Sequence, residues 1–266
     1  MEKKFERNTF AKRLKSMLAV DFRRAFTGRF LYIMVGISFV IPILILIMTT
    51  MMDGSVSTDQ DGNQVVMEGF KNVWQILGAT SSESAVMDMS LTGMCNINML
   101  YFAIIVFVCI FVADDFRSGY AKNLFTVRAK KTDYIISKTL IGFVGAAIMF
   151  IAFLIGSLIG GGVAKLPFDM NGFTLANVFA CLFSKIGLSL IFVAVCVLAS
   201  VIGKQKSWLS VLLSLGFGML FFTMIPMLTP LDADFIRVVV CLGAGGLFSA
   251  GIGCISNLVL KKTSLV

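Results

Sequence analysis

Six apolar runs set the terms for this chain, each about as long as the ~20 residues a helix needs to cross the hydrocarbon layer of a bilayer. They cover residues 30–50, 91–113 (most apolar from Ile97), 139–164, 184–203, 208–228 and 238–260. All are free of charge except the fourth, which is charge-free from Ile186 but takes in Lys185 when extended outward, and which could start as early as Ala176. Soluble cores rarely hold such uninterrupted runs. Lipid leaves every backbone N–H and C=O to be paired within the segment, so helices are expected, and the residues do not alternate as barrel strands would. Composition agrees: 58% of the 266 residues are hydrophobic and 14% charged, with a mean hydropathy of +0.91. A soluble chain of this length could not hide so much apolar surface.

The first run is too long for the apolar stretch of a secretory leader, and no small-residue cleavage site follows Thr50, so it is expected to persist as a span. Orientation follows from Lys and Arg, which accumulate in cytoplasmic loops. Lys3, Lys4, Arg7, Lys12, Arg13, Lys15, Arg23, Arg24 and Arg29 precede the first run. Arg117, Lys122, Arg128, Lys130, Lys131 and Lys138 lie between the second and third, Lys204 and Lys206 after the fourth, and Lys261 and Lys262 after the sixth. The opposite loops carry Lys71, Lys165 and Arg237 against a larger set of acids, among them Asp53, Asp59, Asp61, Glu68, Asp169, Asp232 and Asp234. The expected fold class is therefore all-α: a polytopic membrane protein with six transmembrane helices and both termini cytoplasmic. The parts are a cytoplasmic tail 1–29, a transmembrane domain 30–260 with external loop 51–90 and cytoplasmic loop 114–138, and a tail 261–266.

The net charge of +8 is accounted for by positive-inside anchoring and attraction to anionic lipid, which makes membrane lipid an expected partner. No soluble basic face with base-stacking groups is present, so nucleic acid is not. The chain has no histidine, which removes histidine general-base catalysis and the usual zinc sites; no catalytic residue, cofactor or metal is expected. Cys95, Cys109, Cys181, Cys196, Cys241 and Cys254 lack paired spacing and read as small hydrophobes.

In the N-terminal tail Phe10, Ala11, Leu14, Met17, Leu18, Phe22 and Ala25 recur at helical spacing, with basic residues around the other side. This suggests an interfacial amphipathic helix on the inner membrane surface, or a short helix packed on the protein's own loops. Asp21 intrudes on the apolar stripe. Outside, Asp59 to Asn63 looks faintly like a calcium loop, but Phe70 falls where the closing glutamate belongs. Val66, Phe70, Val73, Trp74 and Leu77 then form a second stripe ending at Gly78. Its helix would rest on the outer leaflet with Trp74 at headgroup level, or line a substrate exit.

No Asp or Glu lies inside any run, which counts against a proton- or sodium-coupled carrier. Lys185 is the one candidate on a substrate path: deep if its helix starts at Ala176, near the outer interface and snorkelling if the span is counted outward from Lys204. Counting outward favours snorkelling. In the last run Gly245 and Ser249, or Gly246 and Ala250, permit close helix approach within the bundle or at a dimer seam. Pro42 and Pro226 would kink the first and fifth spans.

Between the second and third runs stands a charged island, DDFRSGYAKNLFTVRAKKTDYIISK, Asp114 to Lys138. By composition it is a solvated positive-inside loop; by order it is an acid, Asp115, then Gly119 four on, then a mixed helix with a basic end. Its order of residues also resembles the corresponding loop of the ABC-2 type permeases, the six-span membrane subunits of bacterial ABC exporters. Asp115, Gly119, Tyr120, Lys122, Leu124, Arg128 and Lys138 match that pattern in order. Asp115 stands where glutamate is commoner, Tyr120 where threonine is frequent, and no proline precedes Arg128. The segment between the last two runs, near Thr229 to Phe235, is short for the family.

The resemblance implies a permease in a bacterial cell membrane, exporting a lipophilic or peptide-like substrate. A cytosolic ABC ATP-binding subunit would drive it, and a second permease chain, identical or sibling, would face it. It further implies that Asp115, Arg117, Gly119, Tyr120, Lys122, Asn123, Leu124 and Arg128 contact the ATPase. The chain has no phosphate-binding G-x-x-x-x-G-K-[ST] loop, so it is expected to be a transport subunit and no enzyme in itself. The alternative is a non-transporting membrane adaptor or sensor that docks a cytosolic partner on the same island.

Overall fold

The computed structural model of the chain describes residues 10–58, 64–78, 91–126, 130–170, 172–222 and 224–262. The calcium-like segment 59–63, the basic residues Lys3, Lys4 and Arg7, and Arg128 lie outside the described residues.

The architecture is helical. Helix α1 spans Phe10–Thr27 and α2 Arg29–Met52, with Gly28 between them in extended conformation. A small antiparallel hairpin, β1 (Val56–Thr58) with β2 (Gln64–Val66), pairs Val56 with Val66. A 3-10 helix (Val73–Leu77), a short α3 (Leu91–Met94) and a second 3-10 helix (Ile97–Met99) lead into α4, Leu100–Arg117. Then follow α5 (Tyr120–Thr126), α6 (Lys131–Val163), α7 (Leu175–Gly203), α8 (Ser207–Phe222), α9 (Ile225–Leu228) and α10 (Phe235–Lys262).

Among the described residues five helices are long and apolar enough to cross a membrane: Arg29–Met52, Ile97–Arg117, Lys131–Val163, Leu175–Gly203 and Phe235–Lys262. The expected run 208–228 takes a different form. It is divided between α8, of 16 residues, and α9. At 1.5 Å per residue α8 is about 24 Å long, short of a ~30 Å hydrocarbon layer. Pro226 occupies the first turn of α9, where its missing N–H costs nothing, so it starts a new turn of helix where a bent continuous span was expected.

The fourth span begins at Leu175, the early start. Thr174 caps it reciprocally with Asn177, whose side chain accepts from the Thr174 N–H at 3.0 Å. Helix α7 is buried along most of its length and forms the centre of the bundle, while α10 and α2 expose most of theirs. Helix α10 packs along α7, α2 along α6, and α4 against α6, α7 and α8. Two of these seams depend on missing side chains. A Cβ on Gly245 would collide with the Gly187 carbonyl oxygen, and one on Gly156 with the Phe39 carbonyl oxygen, so backbones approach there as bulkier residues forbid. Gly245 therefore belongs to the protein's own bundle, whereas Gly243, Gly246 and Gly251 of the same helix have open space around them.

At the end of the bundle away from α1, the stripe read as lying on the outer leaflet is buried in the protein. Val73, Ile76 and Leu77 are shielded, and Trp74 donates its indole N–H to the Phe168 carbonyl at 3.1 Å. Asn72 caps the 3-10 helix by accepting from the Trp74 N–H at 3.0 Å, and its own amide donates to the Asp169 carbonyl. Val66 is exposed on β2 and takes no part.

Candidate functional site

The charged island holds the mixed helix expected after Gly119 and is helical at both ends as well. Residues 114–117 finish α4, 120–126 form α5, and 131–138 begin α6, which at 33 residues is about 50 Å long and outruns any hydrocarbon layer. The continuation is possible because the island's central charges are neutralised by one another and by α1.

Along α1, Met17, Asp21 and Ala25 recur every fourth residue and are buried, facing α6. Asp21, the acid that interrupts the apolar stripe, is fully buried. Its Oδ1 accepts from the Lys138 ammonium at 2.8 Å and its Oδ2 from the Ser137 hydroxyl at 2.7 Å. The same ammonium lies 2.7 Å from Asp115 Oδ2, which also accepts from the Tyr134 hydroxyl at 3.0 Å. Arg24 Nη1 reaches Asp115 Oδ1 at 2.7 Å and sits 3.9 Å from Asp21. Two carboxylates thus face two cations, and hydroxyl donors take up remaining lone pairs, the condition under which buried charge is tolerated.

Aromatic rings close the cluster. The Arg24 guanidinium lies 4.2 Å from the Tyr120 ring centroid, and the Lys138 ammonium 4.7 Å from that of Phe111 and 5.3 Å from that of Tyr134. Burial works against the Arg24 charge, but Asp115 and then Asp21 outweigh it, and its pKa is raised. Burial, followed by the negative charge of Asp21, pushes the Tyr120 phenol up as well. One turn outward, Arg13 Nε pairs with Asp133 at 3.0 Å, and Lys131 donates to the Leu260 carbonyl at 2.7 Å, tying the last turn of α10 to the first of α6.

The proposed contact residues therefore separate into two groups. Asp115 is fully buried and holds α1, α4 and α6 together, so it is not on a contact surface. Tyr120 is half-buried beneath Arg24, and Leu124 packs on the core. Arg117, Lys122 and Asn123 are exposed, Arg117 lying 3.9 Å from Asp114 in a weak surface pair. Gly119 has a φ of +74°, the left-handed turn that ends α4 and starts α5. Asp21, Arg24, Tyr134 and Ser137 belong to the cluster and were missed as site residues. The available signal was Asp21 itself, since an acid on a buried helical stripe requires a cation opposite.

Lys185 lies in the third turn of α7 and its side chain is fully buried, so it does not snorkel. Its ammonium donates to Asn98 Oδ1 at 2.9 Å and to Thr229 Oγ1 at 2.7 Å. The Tyr101 hydroxyl donates to the Lys185 carbonyl at 2.9 Å. Cys109, Cys181, Cys196 and Cys241 are buried, Cys95 is half-buried and Cys254 exposed. Among the described residues no group of three or more Cys, Asp or Glu side chains is gathered as a metal ion would require.

No protein-family model, curated protein or solved structure matches the chain. Its class rests on its own architecture: a helical protein with, among the described residues, five candidate membrane-crossing helices and a buried, charge-balanced cluster at one end.

Proposed function

We propose that the chain is the membrane-spanning permease subunit of an ABC transporter, exporting a lipophilic or peptide-like substrate with ATP hydrolysed by a separate cassette subunit. In this reading α8 and α9 together complete a sixth span, and both termini and the charged cluster face the cytoplasm of a bacterial cell. Helix α1 lies along the inner surface with Lys12, Lys15 and Arg23 toward anionic headgroups. Two such chains, identical or sibling, face each other.

One observation carries the reading. Helix α5 presents Lys122 and Asn123 to solvent, while its first residue, Tyr120, and the nearby Asp115 are held in the cluster that joins α1, α4 and α6. A push on α5 would be delivered to these helices together, as a rigid-body displacement. The resemblance of Asp115 to Lys138 to the coupling loop of the ABC-2 permeases supports the same assignment.

The test is co-purification of the tagged chain with a cassette ATPase from its own cells, comparing wild type with Lys122→Glu and Arg117→Glu. Both positions are exposed, so loss of ATPase binding or of substrate-stimulated hydrolysis reports on docking and not on folding. Unchanged binding and transport in the double variant would overturn the assignment. Binding without any substrate-stimulated hydrolysis in the wild-type complex would indicate an adaptor.

A further inference from the structure

Among the described residues two lysines are fully buried, and only one of them has counter-charges. Lys138 lies between two carboxylates. Lys185 meets an amide oxygen and a hydroxyl oxygen, both neutral, and among the described residues it forms no ion pair. The acids nearest to Thr229 in sequence, Asp232 and Asp234, are exposed. A buried ammonium without an opposite charge is costly, and within a membrane-type bundle such a residue marks a ligand or ion pathway more often than a packing position.

We propose that Lys185 is the seat of an anion-binding site that takes the phosphate or carboxylate head of a lipophilic molecule. This rests on the transporter reading, in which that molecule is the cargo. The surroundings suit the task. Of the three segments that meet at the ammonium, α7 does so within its length and the other two at helix ends. Asn98 belongs to the 3-10 helix Ile97–Met99 and Thr229 to the turn after the four-residue α9. Helix ends set inside a bundle bring polar side chains to its interior, as the ends of half-helices do in transporters.

The neutral partners can also give way. The Thr229 hydroxyl accepts from Lys185 and donates to the Ile225 carbonyl at 2.8 Å, so an anion that takes over the lysine proton leaves Thr229 with its own bond intact. Of the three ammonium donors, one is then held by Asn98 and the others turn to the anion. The Tyr101 hydroxyl fixes the lysine's backbone carbonyl, so the side chain reaches from a set position.

The experiment uses the full chain purified in an uncharged maltoside detergent. Its melting temperature is followed during titration with dodecyl phosphate, inorganic phosphate and dodecyltrimethylammonium. Dodecyl phosphate should raise the melting temperature in a saturable way and the cationic amphiphile should not. A matching response to inorganic phosphate identifies a soluble anion as the source, and a response to dodecyl phosphate alone identifies a lipid-like head. No saturable response to either anion would overturn the proposal.

Asn98→Asp supplies an internal carboxylate where the amide oxygen stands, so it should keep the unliganded melting temperature at or above wild type and weaken the anion response at least about tenfold, the factor a 1.4 kcal/mol loss produces. Lys185→Gln should weaken it likewise. Full anion binding by a folded Asn98→Asp protein would also overturn the site. None of these measurements involves the ATPase, so failure here leaves the α5 docking test standing, and the reverse holds too.

Discussion

Lys138 and Asp21 are 117 residues apart in the chain and 2.8 Å apart in the fold, both without exposed side-chain surface. The bond fastens an N-terminal helix to the third membrane-type helix through a pair of charges that no local pattern connects. Asp115, on the helix between them, accepts from the same ammonium at 2.7 Å, so three helices share one cation.

Asp21→Ala removes half of the negative charge in that cluster. Breaking a buried pair on one side typically costs about 3–5 kcal/mol, so a clear fall in melting temperature is expected. Trypsin should also cut faster at Lys12, Lys15 and Arg23 as α1 comes loose. The double variant Asp21→Ala, Lys138→Met should cost less than the sum of the single changes, because neither charge is left alone. Additive losses would show that the pair is not coupled.

At Gly119 a Cβ would meet open space, so any penalty comes from the left-handed backbone, φ +74°. Valine there should cost roughly 1–2 kcal/mol, and asparagine, which tolerates this region, distinctly less. Equal melting temperatures for the two variants would contradict this account. Reduced coupling without reduced stability would locate the effect in the α4–α5 turn itself.

Two neighbouring glycines of α10 should behave oppositely. Gly245→Ala places a methyl against the Gly187 carbonyl and should separate α10 from α7, whereas Gly246→Ala enters open space. The first is expected to destabilise by about 1–3 kcal/mol. The second should stay within about 0.5 kcal/mol of wild type. Thermal melting of the purified variants decides it.

Tyr120 supplies a pH signature. Burial first, and Asp21 second, raise its pKa in the folded protein, so the folded state keeps the phenol proton longer than the unfolded state does. The stability this contributes is fully present below the ordinary tyrosine pKa of about 10 and is lost as pH rises through the higher folded value. Tyr120→Phe should flatten this alkaline loss. An ultraviolet absorbance titration, wild type minus variant, should show one tyrosine titrating late.

Sidedness can be measured directly. In a chain whose Cys95 and Cys254 are replaced by serine, Lys122→Cys and Ser55→Cys, both at exposed positions, should react with an impermeant maleimide from opposite faces of sealed vesicles. Lys122 is expected on the inner face. Labelling of both from one side would reject the alternating topology.

Much of the helical plan was legible from the apolar runs, because a helix of ~20 apolar residues leaves few other choices. The first, third and sixth runs reappear as Arg29–Met52, Lys131–Val163 and Phe235–Lys262. The ends were harder to read. Lys131 to Lys138 has the charge of a solvated loop, yet this stretch is the beginning of α6, with Lys138 neutralised from α1 and α4. The run 208–228 looked continuous because hydropathy does not register the fresh start that Pro226 gives α9. The Trp74 stripe showed the right period, but periodicity cannot say whether protein or lipid covers a face.

By itself the sequence determined that this chain is helical, where its long apolar segments lie, and that the island between Asp114 and Lys138 is chemically unlike its flanks. Those are local properties, set by hydrophobicity and backbone pairing within one segment. Only the tertiary structure decided which charges are neutralised and which are left over. Asp21, an apparent flaw in an amphipathic stripe, is paired, while Lys185, an apparent interface residue, is buried among neutral partners. The reason is physical: the energy of a buried charge is set by what faces it within a few ångströms, and those neighbours come from segments distant in the chain.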